Sequence, residues 1–153
     1  MVYLGADHAG FKLKEQIKKY FQTRKIKFID LGNFKLDKND DYPEFGYKVA
    51  KAVAKNPQNR GILICGSSFG VCIVANKVKG VRAVSLDKTY DAVLSREHND
   101  ANVLCLSGWN LKKDLAQKII KTWLNTPFSR AARHQRRVRK IKLIENKEFS
   151  ARG

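Results

Sequence analysis

The chain has 153 residues, enough for one domain with a full hydrophobic core, and 43% of them are hydrophobic. It carries 31 Lys and Arg residues against 14 Asp and Glu, so its formal net charge is +17 at pH 7. The three cysteines have no metal-type spacing, and no segment reads as a signal peptide or a membrane span. These features predict a cytoplasmic protein with reduced thiols, no membrane segment and an affinity for anions.

Apolar, β-branched segments alternate with segments of helical periodicity along the chain. Strands are predicted at residues 2–6, 27–31, 62–64, 81–86 and 103–106. Helices are predicted from about residue 11, from 41 to a break at 56–59, at 71–78, 87–97 and 111–123, and from 130 to about 144. This alternation predicts an α/β, single-domain, Rossmann-like three-layer sandwich with a five-stranded parallel sheet and an extra C-terminal helix. Residues 1–153 are expected to form one domain, with 130–153 as a basic C-terminal helix and tail.

The third predicted strand leads into the most informative segment of the chain. Cys65 ends the strand, and Gly66, two serines and Gly70 follow before the next helix begins. A strand, a Gly/Ser-rich turn and a helix in this order form a cradle for anions, because free backbone N–H groups point into the turn. A thiol beside such a cradle is favoured as a thiolate. The alternative is that Cys65 is a structural cysteine buried at a strand end.

Ligands of parallel α/β sheets bind beyond the carboxyl ends of the strands. Asp7, His8, Cys65 and the loop before Tyr42 are all predicted to lie at that edge. His98, by contrast, follows a helix and precedes a strand, so it is expected at the opposite, amino edge. It is then either a structural helix terminus or a residue that reaches the Cys65 site of another subunit.

Several further motifs accompany this segment. The six motifs, of which the segment that contains Cys65 is the third, follow in chain order. They are Gly5-Ala6-Asp7-His8-Ala9-Gly10, Asp41-Tyr42-Pro43, Gly61-Ile62-Leu63-Ile64-Cys65-Gly66, Ala75-Asn76-Lys77-Val78, Arg96-Glu97-His98-Asn99-Asp100-Ala101-Asn102 and Arg133-His134-Gln135-Arg136-Arg137-Val138. Together they closely resemble the ribose-5-phosphate isomerase B family, which also includes the galactose-6-phosphate isomerase subunits. The resemblance runs from residue 2 to about residue 141.

The resemblance implies an enzyme that interconverts an aldose phosphate and a ketose phosphate with neither a metal nor an organic cofactor. By matching motif, Cys65 resembles the base that moves a proton between C1 and C2 of the sugar. His98 resembles the group that opens the furanose ring, with Tyr42 and Asp7 nearby. Ser67 keeps the hydroxyl of the family's turn and is included among the catalytic residues.

Substrate-binding roles follow from the resemblance in the same way. The backbone N–H groups of the turn would stabilise the enediolate intermediate, which makes Gly66, Ser68 and Gly70 substrate-binding residues. Asn99 resembles a ligand of a sugar hydroxyl. The residues that resemble the phosphate clamp are His8, Arg133 and Arg137. The two arginines lie four positions apart and share a helix face. The family's site lies between two subunits, which implies a homodimer or a dimer of dimers with shared active sites.

Each of these residues also has a purely structural interpretation. His98 could be a partner of the helix dipole, and Asp7 could be the N-cap of the first helix. Arg133 and Arg137 could belong to a solvated basic face, and Tyr42 could pack above the start of its helix. The motifs, occurring together and in order, favour the functional interpretation of all five.

The chain departs from the family pattern at three places. The family's turn is usually Cys-Gly-Thr-Gly-x-Gly, whereas Ser68 here replaces a glycine and restricts the backbone if its φ is positive. Trp109 stands where the family usually has a further phosphate-binding arginine, and its indole either narrows the pocket or packs at an interface. The basic tail beyond Ile141 is not explained by the family pattern.

Ribose 5-phosphate and ribulose 5-phosphate are the expected substrates. Within the same class, the alternative is a six-carbon phosphate such as allose or galactose 6-phosphate. From another class, the alternative is a basic nucleic-acid-binding protein on an isomerase scaffold, which the net charge of +17 and Trp109 favour. The dispersed lysines and the lack of groove-entering motifs predict that any nucleic-acid binding is at most nonspecific.

Overall fold

The computed structural model describes residues 1–150, which form one α/β domain on a five-stranded parallel sheet. The strands are β1 (Val2–Ala6), β2 (Phe28–Asp30), β3 (Arg60–Cys65), β4 (Ala83–Ser85) and β5 (Val103–Ser107). The helices are α1 (His8–Thr23), α2 (Tyr42–Ala54), α3 (Phe69–Ala75), α4 (Thr89–Asn99), α5 (Lys113–Asn125) and α6 (Ala132–Ser150). The strand order is β2-β1-β3-β5-β4. The predicted fold class, with its extra C-terminal helix, is confirmed.

The two faces of the sheet carry two separate hydrophobic cores. On one face, Ile17 of α1 and Ile119 of α5 are fully buried against strand side chains. On the other face, Val49 of α2 and Val71 of α3 are fully buried in the same way. Successive residues of a strand point to opposite faces, so a strand covered on both faces has to be apolar throughout. This is why residues 62–64, in the central strand β3, show no polar alternation.

Two boundaries near the candidate site differ from the sequence prediction. Helix α1 begins at His8 rather than near residue 11, because the Asp7 side chain caps it by accepting a hydrogen bond from Gly10 N at 3.0 Å. Helix α3 begins at residue 69 and ends at 75, whereas residues 71–78 were predicted. Just beyond its last residue, the Asn76 side-chain amide pairs with both backbone groups of Ala83, at 2.8 and 2.9 Å. The bond from Gly10 N shows that Asp7 is the N-cap of α1, and this structural role does not exclude a second role for its carboxylate in the site.

The outer elements differ in length from the prediction. The edge strands β2 and β4 are three residues each, shorter than the predicted 27–31 and 81–86. Helix α6 continues to Ser150, beyond the predicted end near residue 144, and Glu145 ties it to the domain by accepting a hydrogen bond from Gly80 N at 2.7 Å. Residues 151–153 of the predicted tail lie outside the described residues.

The end of α4 is fixed by the buried side chain of Arg96. Its Nη1 donates to Asp100 Oδ1 at 2.8 Å and to Ala101 O at 2.6 Å, and its Nε donates to Thr126 O at 3.2 Å. The guanidinium also lies 5.8 Å from the centre of the Trp123 ring. Arg96 thus holds together the turn after α4, the end of α5 and the last turn of α4 itself.

Replacing Arg96 by alanine is expected to lower the free energy of unfolding by about 3 kcal/mol. The buried Ala101 O would lose a donor, the half-buried Thr126 O would lose another, and the Asp100 carboxylate would keep only Arg82 as a charged partner. Urea denaturation measures the change. Arg139→Ala, at an exposed position of α6, is the control and should leave stability within about 0.5 kcal/mol of the original. Equal stability of the two variants would contradict the role given to Arg96.

Candidate active site

The turn after β3 is held at the carboxyl edge of the sheet by the end of β5. Cys65 O accepts a hydrogen bond from Gly108 N at 2.8 Å, and Gly66 O accepts one from Ser107 Oγ at 2.6 Å. Cys65 itself is only 4% exposed and belongs to the core between the sheet, α2 and α3. It is therefore both a buried cysteine and the residue directly before the turn, so the two sequence interpretations do not exclude each other.

The backbone of the turn takes a conformation that favours glycine. Ser68 has a φ of +74°, in the left-handed region, which costs a residue with a Cβ about 1–2 kcal/mol. Its hydroxyl contacts Ser85 Oγ at 2.5 Å and also Ser67 O. Ser67 Oγ accepts a hydrogen bond from Phe69 N at 3.3 Å. These contacts offset part of the cost of replacing the family's glycine with serine.

Two aromatic rings flank the turn. A Cβ built on Gly66 would lie 2.4 Å from Cζ2 of Trp109, and one built on Gly70 would lie 2.6 Å from Cε2 of Tyr42. Any side chain at either glycine would therefore displace a ring. Trp109 is 72% exposed although its ring contacts Gly66, so it lies at the candidate site rather than away from it.

Asp7 and His8 reach the same edge from the end of β1. Asp7 is buried, and burial raises the pKa of its carboxyl, against the opposing effect of the Gly10 N–H. His8 is the first residue of α1, and its Nδ1 lies 2.7 Å from Asp40 Oδ1. This hydrogen bond to Asp40 is the main reason why the pKa of His8 is raised.

A second group of residues lies where α4 meets α6. The His98 and His134 rings pack with their centroids 4.2 Å apart. His134 is buried; its Nδ1 lies 2.7 Å from Ser129 Oγ, and its Nε2 accepts a hydrogen bond from Arg133 Nε at 3.2 Å. Burial lowers the pKa of His134, and the nearby His98, Arg133 and Arg137 lower it further. The lowered pKa favours the neutral form of His134, whose ring contacts both His98 and Arg133.

The predicted site residues thus fall into two groups. The carboxyl-edge group consists of Asp7, His8, Tyr42, Cys65, Gly66, Ser67, Ser68 and Gly70. The amino-edge group consists of His98, Asn99, Arg133 and Arg137. Strand β5 separates them, because Ser107 at its end pairs with Cys65, whereas α4 leads into its first residue, Val103. A single chain therefore does not bring the two groups together.

Sequence reasoning missed two residues, Asp40 and His134. His134 lies inside a motif that was recognised, but its burial against His98 depends on how α6 docks on α4. Asp40 is one of three acids in the loop of residues 33–41, and nothing in the local pattern distinguishes it from Asp37 or Asp41. Both residues are identified only by their tertiary contacts.

Within residues 1–150, no helix is long and apolar enough to cross a membrane. In the same part of the chain, no three His, Cys, Asp or Glu side chains are grouped so that they could hold a metal ion. What the carboxyl edge does offer is a thiol, a buried carboxyl, a histidine with a raised pKa and a backbone turn suited to an anion.

A Gly/Ser-rich turn between a strand and a helix, at the carboxyl ends of parallel strands, is typical of α/β proteins that bind small phosphorylated molecules. The chain belongs to the ribose/galactose isomerase family, whose profile matches residues 2–141.

Individual relatives with ribose-5-phosphate isomerase B names match this chain over nearly its full length. Ribose-5-phosphate isomerase B of Escherichia coli is 40% identical over 146 residues, which cover 95% of this chain and 97% of the relative. The crystal structure of ribose-5-phosphate isomerase B from Mycoplasma genitalium with bound ribulose-5-phosphate superposes with a TM-score of 0.91 at 42% identity, covering 95% of each chain. The Clostridium thermocellum enzyme superposes with a TM-score of 0.89 at 44% identity, covering 96% of this chain and 98% of its own.

Proposed function

We propose that this chain interconverts ribose 5-phosphate and ribulose 5-phosphate as one sugar-phosphate isomerase domain spanning residues 1–153, without a cofactor. The observation that carries the proposal is the position of Cys65 directly before the turn of residues 66–70, at the same sheet edge as Asp7 and His8. The structural relative from Mycoplasma genitalium, which shares this fold, has ribulose-5-phosphate bound.

In the proposed reaction, the Cys65 thiolate removes the proton from C2 of the open-chain aldose. The carbonyl at C1 becomes the enediolate oxygen, and the proton of the C2 hydroxyl passes to it as the C2 carbonyl forms. The Cys65 thiol then returns its proton to C1, which gives the ketose and restores the thiolate. Backbone N–H groups of residues 66–70 and the Ser67 hydroxyl stabilise the enediolate, and shielding from water strengthens these contacts.

The two groups share the remaining roles in this proposal. His98 opens the furanose ring, with Asp7 and Tyr42 of the carboxyl-edge group close to the ring oxygen. Asn99 binds a sugar hydroxyl. The phosphate is held by His8, Arg133 and Arg137, of which the two arginines carry permanent charges and project from adjacent turns of α6.

These roles require that the two groups come from different subunits. The surface of α2 and α3 supports such an assembly, because it exposes three large apolar side chains. Tyr47 is 54% exposed, Phe69 is 65% exposed and Ile73 is 61% exposed. A second copy covering this surface would remove the apolar area from water and could bring its amino-edge group to the Cys65 turn. We therefore propose a homodimer, or a dimer of dimers, with shared active sites.

A cytoplasmic location fits the proposed mechanism, since its base is a free thiol and thiols persist in reducing compartments. The proposed substrate is a small sugar phosphate, and contact with nucleic acid is at most nonspecific.

A substrate panel tests the proposed function. Purified protein is assayed with ribose 5-phosphate, allose 6-phosphate and galactose 6-phosphate, and kcat/KM is expected to be highest for ribose 5-phosphate. A preference for a six-carbon phosphate would reassign the substrate. Turnover of none of the three, together with tight and salt-sensitive binding of nucleic acid, would overturn the proposal in favour of the nucleic-acid alternative.

Trp109 is expected to make this enzyme a weak binder of its substrate. The indole has one N–H donor and no charge, whereas an arginine there would add a charge-assisted contact to phosphate. Trp109→Arg should therefore lower KM for ribose 5-phosphate, with kcat less affected. The decrease should correspond to a gain in binding free energy of up to ~1.5–3 kcal/mol, which is typical of a hydrogen bond to a charged group.

The measurement is KM for the original protein, Trp109→Arg and Trp109→Ala at two salt concentrations. Added salt should raise KM, because it screens the positive field of the protein. If Trp109→Arg leaves KM unchanged while both variants weaken the dimer, the residue packs at the interface and has no part in phosphate binding.

A further inference from the structure

Asp40 links the loop before α2 to the first residue of α1. Its Oδ1 accepts two hydrogen bonds from His8, one from the backbone N at 2.9 Å and one from the ring Nδ1 at 2.7 Å. The Asp40 side chain is 9% exposed, whereas 39% of the His8 side chain is exposed. The contact therefore occupies Nδ1 and leaves Nε2 as the ring nitrogen that a ligand can reach.

Asp40 is itself held in place by Asn33. Asn33 Nδ2 donates to its other carboxylate oxygen at 2.5 Å. Asn33 is in turn fixed to the domain, because its N donates to Ala6 O at 2.8 Å and its O accepts from the buried Lys14 Nζ at 2.6 Å. These bonds tie the carboxylate of Asp40 to β1 and α1 rather than leaving it on a solvated loop.

The geometry determines which ring nitrogens of His8 must be protonated when it binds a phosphate. An ionised carboxylate only accepts hydrogen bonds, so the proton shared with Asp40 resides on Nδ1. A neutral His8 in this tautomer would present a lone pair at Nε2, which repels the oxygens of a phosphate. Only the doubly protonated imidazolium can donate a hydrogen bond from Nε2 while Nδ1 remains bonded to Asp40.

We propose that Asp40 is a positioning residue that keeps His8 doubly protonated, so that Nε2 donates to the phosphate group of the substrate. This inference rests on the proposed function, in which Arg133 and Arg137 of a second copy also bind the phosphate. Two arginines close to His8 would disfavour its protonated form, and the carboxylate of Asp40 offsets them. Within the described chain, Asp40 raises the pKa of His8 mainly through the hydrogen bond, and Asp7 adds to the effect, against the lowering caused by burial.

An NMR titration of the histidine rings tests the first half of the proposal, and with three histidines in the chain the signals can be assigned by substitution. Asp40→Asn should move the His8 titration midpoint to lower pH. Asp37→Asn is the matched control, because it removes the same charge from the same loop while asparagine can still accept the hydrogen bond from Asn39 N. An unchanged His8 midpoint in Asp40→Asn would overturn the proposal. The His8 midpoint is measured without turnover, so a failure of this proposal can be distinguished from a failure of the proposed function.

Binding of inorganic phosphate across the pH range tests the second half. The original protein and Asp40→Asn are compared at each pH, so that the ionisation of phosphate itself cancels. Between the two His8 midpoints the variant should bind phosphate roughly tenfold more weakly, and the difference should shrink at lower pH, where His8 is protonated in both proteins. A loss of affinity that is the same at every pH would show that Asp40 only anchors the loop, and would overturn the proposal.

Discussion

Replacing Cys65 by alanine is expected to lower isomerase turnover by about 10²- to 10⁴-fold, which is the usual cost of removing a general base. The fold and the binding of phosphate should persist, because the turn is held by the hydrogen bonds that Cys65 O and Gly66 O accept from Gly108 N and Ser107 Oγ, and not by the thiol. Steady-state kinetics with ribose 5-phosphate, together with phosphate binding measured by calorimetry, separates the loss of kcat from any change in affinity.

Two further variants sharpen this result. Cys65→Ser should not restore turnover, since a serine hydroxyl is far less acidic than a thiol and would not ionise to serve as the base. Cys72→Ala, a half-buried thiol on α3, is the matched control and should keep near-original turnover. If Cys65→Ala also turned over at nearly the original rate, Cys65 could not be the base.

Mixing two inactive proteins, Cys65→Ala and His98→Ala, is expected to restore activity once subunits exchange. In a mixed dimer, one site combines both damaged groups and the other combines both intact groups. With equal amounts and random exchange, about half of the dimers are mixed, so about one quarter of the original activity should return. The physical reason is that Cys65 and His98 lie at opposite ends of the same sheet.

The control for this experiment mixes Cys65→Ala with His8→Ala, two changes in the carboxyl-edge group, which should not restore activity. Mass spectrometry establishes that exchange has occurred. Confirmed exchange of the Cys65→Ala and His98→Ala proteins without any recovery would rule out a shared site.

The central strand β3 could be predicted from the sequence because burial on both faces admits only apolar residues there. Residues 62–64 are apolar on both faces, and such a pattern has few other structural solutions. The start of α1 was placed too late, because the cap at Asp7 depends on a single side-chain bond to Gly10 that periodicity does not record. The end of α6 was placed too early, since Glu145 is bonded to Gly80, which is distant in sequence.

The position of the candidate site residues followed from topology as much as from motifs. His98 was expected at the amino edge because it follows a helix and precedes a strand, and it lies in the last turn of α4. The contact of Trp109 with Gly66, and the pairing of Asp40 with His8, could not be predicted in this way. Each depends on how a loop folds back over the edge of the sheet, which no short-range pattern specifies.

The central claim is tested most directly by starting the reaction from each side. Purified protein is incubated with ribose 5-phosphate alone and, separately, with ribulose 5-phosphate alone, and both sugars are quantified over time. Because an isomerase speeds both directions and leaves the equilibrium unchanged, both incubations should reach the same mixture, and at a rate that falls at least 10²-fold in Cys65→Ala. Failure of the original protein to convert either sugar would contradict the claim.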